Sequence, residues 1–265
     1  MFARLQRIFD RVTIFQGPGA SGEIPRIIWI LWLQGWAAAP AIVQASLKTW
    51  QMHNPGWTIR ALERAVLDDL LRDDELFSIV ARKNIEPEAL ADVVRIALLR
   101  RYGGIWADST VYCLRPLDTW LDENMRSGFF AFARLAPERV ISSWFLAAKP
   151  GNYIVEAWYR RCLLYWRKRE QRHTYFWFHA LFDEAVKTDR RFRKIWAETP
   201  QVSADGPHYF VPYAEKLAAP VSDADRDVLQ GKLVPLLKLT HKGDPERYAE
   251  NSCFNYLLRQ ASLRR

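Results

Sequence analysis

The sequence predicts an α/β fold with a mainly parallel central sheet and added helices, on three observations. Short apolar runs such as Ile27-Ile28-Trp29-Ile30-Leu31-Trp32-Leu33 alternate with helical stretches. Glycine and proline punctuate the joins, at Asn54-Pro55-Gly56, Gly103-Gly104 and Lys149-Pro150-Gly151-Asn152. The 265 residues, 49% of them hydrophobic, can bury one substantial core.

Met1 to Phe15 interrupts its apolar residues with arginine and is too short for a signal peptide or a spanning helix. It reads as a terminal helix docked on its own domain, with a helix lying on a membrane as the alternative. Gly17 to Gly22 then forms a linker, and Pro25 marks the entrance to the first buried strand. Ala41 to His53 reads as a helix carrying Ile42, Ala45, Leu47 and Trp50, and Trp57 to Leu62 as the next strand. A charged helical region runs from Glu63 to Asp74, followed by a helix from Glu88 to Tyr102 and a strand at Ile105. Val111 to Leu114 continues extended, and Gly128 to Phe132 and Ser142 to Ala148 read as further strands.

From Tyr153 the character changes to amphipathic helix rich in arginine, tryptophan and tyrosine, reaching Arg172, with another helix over Thr174 to Asp189. A short strand over Val234 to Lys242 delivers His241 and Lys242 to a cleft, and Tyr248 to Leu258 reads as helical. The implied organisation is an N-terminal helix and linker over 1–23, a main domain over 24–245 with a helical insertion around 153–190, and a C-terminal helix and basic tail over 246–265.

The formal charge of +8 favours an anionic partner: a nucleotide, a lipid diphosphate, an acidic membrane face or nucleic acid. Three cysteines without metal-ligand spacing give no disulfide framework and suit a reducing compartment, so the expected location is cytoplasmic, with peripheral contact on the inner face of the cell membrane as a variant.

The chemistry concentrates between Asp92 and Thr110. Leu90, Val93 or Val94, Ala97 and Leu98 form one apolar side of the helix, leaving Asp92 and Arg95 on a shared polar face. Gly103-Gly104 ends the helix. The helix from Asp92 to Tyr102 covers roughly 15 Å and the returning strand from Gly104 to Asp108 roughly 13 Å, so the two carboxylates meet at one edge. That edge is the carboxyl end of a strand, where open α/β sheets place ligands. Two such carboxylates can orient a divalent ion, accept hydroxyl hydrogen bonds or perform acid/base work; an ordinary helix cap and structural turn is the bland alternative.

Ile24-Pro25-Arg26-Ile27-Ile28-Trp29, Ser46-Leu47-Lys48-Thr49-Trp50, Asn54-Pro55-Gly56-Trp57, Ala91-Asp92-Val93-Val94-Arg95 and Tyr102-Gly103-Gly104-Ile105-Trp106-Ala107-Asp108 resemble, in this order, the DXD-containing sugar transferases. The branch they are most similar to is the capsular polysaccharide synthesis proteins, and the resemblance extends to Trp144 to Pro150 and to Lys238-Leu239-Thr240-His241-Lys242. It implies a GT-A fold and a glycosyltransferase, with hexosyl transfer favoured. The reaction implied moves a sugar from a nucleotide-sugar donor to a saccharide or lipid-linked acceptor with retention of configuration, in surface polysaccharide or glycoconjugate synthesis. A noncatalytic nucleotide-sugar or glycan-binding protein is the alternative.

The resemblance also implies site roles. Asp92, Asp108 and His241 are the catalytic candidates; Trp29, Asp92, Arg95, Gly104, Asp108, Ser109, Thr110 and Lys242 the donor-binding ones; and Asp108 with His241 the ligands of a Mn²⁺ or Mg²⁺ ion. The second acid of the motif is absent, with Thr110 in its place. For the strip Tyr175-Phe176-Trp177-Phe178-His179, core packing or acceptor-site shape is favoured over direct catalysis. The basic segment from Trp158 to Arg169 reads foremost as a solvated helix face with its tryptophans inward, then as a patch for anionic membrane or lipid-linked diphosphate; nucleic acid is the least favoured partner.

Overall fold

The computed structural model describes residues 22–136, 139–211, 213–242 and 248–263. The helix expected over Met1 to Phe15 and the basic end Arg264-Arg265 lie outside the described residues. Strands β1 (Ile27–Leu31), β2 (Thr58–Leu62), β3 (Gly104–Ala107), β4 (Val111–Cys113), β5 (Phe129–Ala136), β6 (Arg139–Ala148) and β7 (Leu236–Lys238) form two sheets. The larger runs β2-β1-β3-β6-β5, and β4 pairs with β7 in the smaller.

The α/β class holds, but the large sheet is mixed rather than mainly parallel. β1 is parallel to both β2 and β3, whereas β3–β6 and β5–β6 are antiparallel. The reason is chain length: β5 and β6 follow each other too closely for the crossover that parallel strands require. Val111 to Cys113 is extended, as read from the sequence, and forms a strand of its own. The backbone turns at Asp108, whose carbonyl accepts from the Val111 amide at 2.8 Å, and β4 leaves for the small sheet.

Both faces of the sheet centre are covered, so β1 and β3 are apolar throughout. Ile28, Ile30, Ile105, Ala107, Phe145 and Ala147 point to one core, while Trp29, Leu31, Trp106, Leu146 and Ala148 point to the other. On the first side lies α1 (Ala41–His53), with the bounds read from the sequence. It grips β4: Trp50 Nε1 donates to the Val111 carbonyl at 2.8 Å, and Thr49 Oγ1 accepts from the Cys113 amide at 3.0 Å. Asn54, just past the helix, accepts from the Leu117 amide at 2.9 Å. Residues of two family-like motifs, Thr49 and Trp50 of one and Asn54 of the other, thus hold the chain beyond the Asp108 turn.

Short helices α2 (Arg64–Leu70) and α3 (Glu75–Val80) lead into α4 (Pro87–Tyr102), which carries Asp92 and Arg95. Pro87 at the first turn needs no amide partner, and Gly103, at φ 66°, ends the helix. The polar face expected for α4 is in fact covered. α3, α5 (Tyr153–Arg167) and α6 (Trp177–Thr188) enclose it, and Arg95 is buried along with Leu90, Val93, Val94 and Ile96 to Leu99. α7 (Arg190–Glu198) packs on α6 through Phe192 and Trp196.

Helices α8 (Tyr213–Ala218) and α9 (Asp223–Leu229) occupy the region whose structure the sequence leaves open. α10 (Cys253–Leu263) closes a third apolar cluster against α1, with Phe254 and Leu257 beside Ile42 and Val43. The three cysteines, Cys113, Cys162 and Cys253, are free and buried. Among the described residues no helix is long and apolar enough to cross a membrane.

Candidate functional site

The diglycine positions the site. Gly104 has φ 87°, and a Cβ there would lie 2.7 Å from the Ile27 carbonyl oxygen, so only glycine lets β3 start this close to β1. A backbone requirement of this kind accounts for Gly104 without a donor contact. β3 runs from there to Asp108, whose amide donates to the Trp144 carbonyl at 2.8 Å.

Asp92 and Asp108 come together through Arg95. Its Nη1 donates to Asp92 Oδ1 and its Nη2 to Asp108 Oδ1 at 2.8 Å. The guanidinium lies 5.0 Å from the centre of the Trp106 ring and 5.5 Å from that of Phe178. With its side chain 5% exposed, Arg95 is a buried cation whose charge is met by two carboxylates and two aromatic faces. Arg95 Nε has no hydrogen-bond partner among the described residues.

Asp108 receives more than Arg95. Trp106 Nε1 donates to the same Oδ1 at 2.9 Å, and the Lys238 ammonium lies 3.5 Å from Oδ2. Lys238 Nζ also donates to Thr110 Oγ1. β7 brings the lysine there by pairing Lys238 with Val111, and the Lys238 amide is fixed on the Pro207 carbonyl at 2.8 Å.

The two acids are electrostatically unlike. Burial pushes Asp92 up to about 6, assisted by the Asp108 charge and opposed by Arg95. Burial would raise Asp108 as well, but the Arg95 and Lys238 charges and the bonds from Trp106 and Arg95 hold it below the usual aspartate range. Lys238 is pulled below the ordinary lysine range by burial, against the attraction of Asp108.

The remaining candidates separate. Ser109 is half-buried and Thr110 buried in the turn after Asp108. Trp29 is a core residue: its Nε1 donates to the Gly103 carbonyl at 3.0 Å and its ring packs 5.5 Å from Tyr102. That burial puts its indole on the core side of the sheet. His241 and Lys242 are exposed, past the end of β7. The His241 ring stands edge-on to Trp32 at 5.3 Å. Burial, then the Lys238 and Lys242 charges, keep His241 below the ordinary histidine range, with Glu88 opposing.

No hydrogen bond or ion pair among the described residues joins His241 to Asp108, and no group of three or more His, Cys, Asp or Glu could hold a metal ion. Among the described residues, Asp108 and His241 alone do not complete a site for the expected Mn²⁺ or Mg²⁺. A divalent ion of this type needs several oxygen ligands, whereas both Asp108 oxygens already face cations.

The residue missed by sequence reasoning is therefore Lys238, three positions before His241. Its signal is a lone lysine between buried Leu237 and Leu239. Three more residues belong beside the site. Trp32, at the end of β1, has an Nε1 without a hydrogen-bond partner among the described residues. Tyr175 and Phe176 form an exposed edge-to-face pair with ring centres 5.0 Å apart. The Tyr175 hydroxyl is raised by burial and by the charges of Glu88, Asp92 and Asp108, with Arg172 opposing. Within the same strip Trp177 and Phe178 are core, Phe178 lying under Arg95, as the packing reading expects.

Two acids and two cations thus interlock at the carboxyl edge of an α/β sheet. The chain belongs to the capsular polysaccharide synthesis protein family, whose model matches residues 15–257. Among curated proteins it is similar to "O-glycosyltransferase braB" of Annulohypoxylon truncatum, at 27% identity over 149 residues, covering 49% of this chain and 35% of that one. It is also similar to "Glycosyltransferase afumC" of Aspergillus fumigatus, at 25% over 152 residues, covering 51% and 39%. The matched regions thus span well under half the length of these relatives. Among solved structures, the "PaToxG Glycosyltransferase" superposes with a TM-score of 0.49 at 11% identity, covering 80% of this chain and 89% of that one.

Proposed function

We propose that this chain is a glycosyltransferase of GT-A type, hexosyl transfer being favoured, that moves a sugar from a nucleoside-diphosphate donor to a saccharide or lipid-linked acceptor with retention, in surface polysaccharide or glycoconjugate synthesis. The observation that carries the reading is the Asp92–Arg95–Asp108 bridge at the sheet edge, in a chain of this family. The glycosyltransferase relatives support it, as does a mixed sheet with β3 central.

In this reading Asp92 orients the donor sugar and Arg95 fixes both acids. Asp108, Ser109 and Thr110 border the diphosphate and ribose, and Trp32, His241 and Lys242 border the nucleotide side. Tyr175 and Phe176 offer an exposed aromatic surface to the acceptor, whose sugar rings pack well on such faces. The bond from the sugar C1 to the β-phosphate oxygen breaks with its electron pair going to that oxygen. The acceptor oxygen bonds to C1 on the same face, and its proton leaves with the nucleoside diphosphate. Asp92 is held by Arg95, which makes it a positioning group rather than a covalent nucleophile.

Replacing Asp108 with Asn leaves an isosteric side chain but removes the charge that locks Arg95 and Lys238. Transfer is expected to fall by roughly 100-fold or more with the far-ultraviolet spectrum unchanged. Near-normal turnover by that folded variant would sink the assignment. Thr110, in place of a second acid, favours one further reading, a noncatalytic nucleotide-sugar or glycan-binding protein. A donor panel assayed for released nucleoside diphosphate, with acceptors present, separates the two, since a binding protein retains the donor without releasing product.

A further inference from the structure

The surroundings of Lys238 carry the argument one step further, on the basis of the nucleotide-sugar reading above. A motif of two acids holds a divalent cation by offering net negative charge and several oxygen ligands. The turn here offers one acid, and that acid is divided between cations, with Arg95 on Oδ1 and Lys238 on Oδ2. Thr110, at the position of the second acid, accepts from the same ammonium. Asp92 is turned to Arg95 instead, its Oδ1 accepting from Nη1.

We propose that Lys238 is the resident counter-charge for the departing diphosphate, standing where a divalent cation would stand in a two-acid motif, so that sugar transfer proceeds without an added metal ion. An ammonium has three donors, and two are spent on Thr110 and Asp108, leaving one for a phosphate oxygen. The Lys238 side chain is 19% exposed, enough for its tip to meet a ligand while its stem stays packed. The strand that bears it is fixed from both sides, by the β4 pairing and by the Pro207 carbonyl, so the charge is in place before the donor arrives. As the C1–oxygen bond breaks and the electron pair collects on the β-phosphate, Lys238 donates a hydrogen bond to that oxygen and keeps its proton. Arg95 is already committed to the two acids through both its Nη groups.

The test is calorimetric binding of UDP, GDP, ADP, CDP and inorganic pyrophosphate to the EDTA-treated full chain, repeated with Mn²⁺ and with Mg²⁺, alongside transfer assays under the same conditions. The wild type is expected to bind at least one nucleoside diphosphate in EDTA, with added metal changing the affinity by less than about threefold. Loss of a preorganised donor of this kind costs roughly 10²–10³-fold, so Lys238→Ala is expected to lower metal-free transfer by that factor and to weaken diphosphate binding. Lys238→Met keeps the stem and serves as the second variant if the alanine variant does not fold. Thr110→Asp combined with Lys238→Ala restores two acids and is expected to bind and transfer only with Mn²⁺ or Mg²⁺. A wild type that binds and transfers only with metal overturns the proposal and leaves the nucleotide-sugar reading standing. A wild type that binds none of the probes, with or without metal, removes that reading and the proposal with it.

Discussion

Asp92 and Asp108 share one arginine, yet one lies near 6 and the other below the ordinary aspartate range. Both are buried beside Arg95; the difference is Lys238 and Trp106, which serve only Asp108. Asp108 therefore stays ionised across the working range, and Asp92 is the group that titrates. If donor orientation needs the Asp92 carboxylate, kcat/KM falls as pH drops below about 6, approaching tenfold per unit, and Asp92→Asn shows a lower, flat profile. A wild-type profile level from about pH 5 to 8 would remove Asp92 from the reaction. Stability has the opposite sign. A carboxyl raised from 3.8 to about 6 binds its proton more tightly in the folded chain, so its contribution is full below the unfolded value and is lost as pH rises through about 6. Relative to wild type, Asp92→Asn should gain up to roughly 3 kcal/mol between acid and neutral pH, measurable by denaturant titration at several pH values. At this scale the sequence displays the acids and the arginine, because they lie within one helix–turn–strand unit. It hides Lys238, whose contact with Thr110 spans 128 positions and depends on a strand pairing that no local pattern encodes.

Two glycines, one helix and one short strand fix where the acids meet. The bounds of α1 and the start of β1 were readable because caps, breakers and periodicity agree there. The burial of Arg95 in the middle of α4 was not readable, since it depends on α3, α5 and α6 arriving to cover that face. The direction of β6 and the departure of β4 are likewise settled by connection length and by a partner strand far along the chain. The diglycine is the point where sequence and packing coincide. Gly104→Ala would place a methyl 2.7 Å from the Ile27 carbonyl in a left-handed backbone, a combination expected to cost about 2–4 kcal/mol. Denaturant unfolding of that variant measures the loss, and a cost below about 0.5 kcal/mol would mean that β1 and β3 can part without penalty. Transfer should fall in the surviving folded fraction too, because Asp108 rides on the same strand.

Over the whole molecule, a net charge of +8 must reside somewhere, and its location decides which anionic surfaces the protein meets. The arginine-rich stretch on α5 looks from composition like the contact face, but its charges are committed internally. Arg160 pairs with Glu156 at 2.9 Å, Arg167 with Glu75, and Arg172 beyond the helix with Glu86 at 3.2 Å, while Trp158 and Trp166 are wholly buried. This is the inward-tryptophan, solvated-face arrangement that the sequence reading ranked first. One cluster of charge outside these pairs lies on the α6–α7 corner, where Lys187, Arg190, Arg193 and Lys194 are exposed. Exposed pairs are individually weak, about 0–1 kcal/mol, but each offsets part of the field that the α5 arginines project. At low ionic strength, binding to anionic vesicles or to oligonucleotides is therefore expected to follow the corner. Arg190→Glu with Arg193→Glu and Lys194→Glu should lower it several-fold, with Phe192 and Trp196 still packed and the unfolding midpoint nearly unchanged. Arg160→Gln with Arg167→Gln should leave that binding as it was and cost about 1 kcal/mol of stability instead. Co-sedimentation with anionic vesicles against a salt series reads the first effect and thermal unfolding the second. The reverse result, binding lost from the α5 variant and kept by the corner variant, would mean that the α5 pairs open in solution and that this helix is the contact face after all.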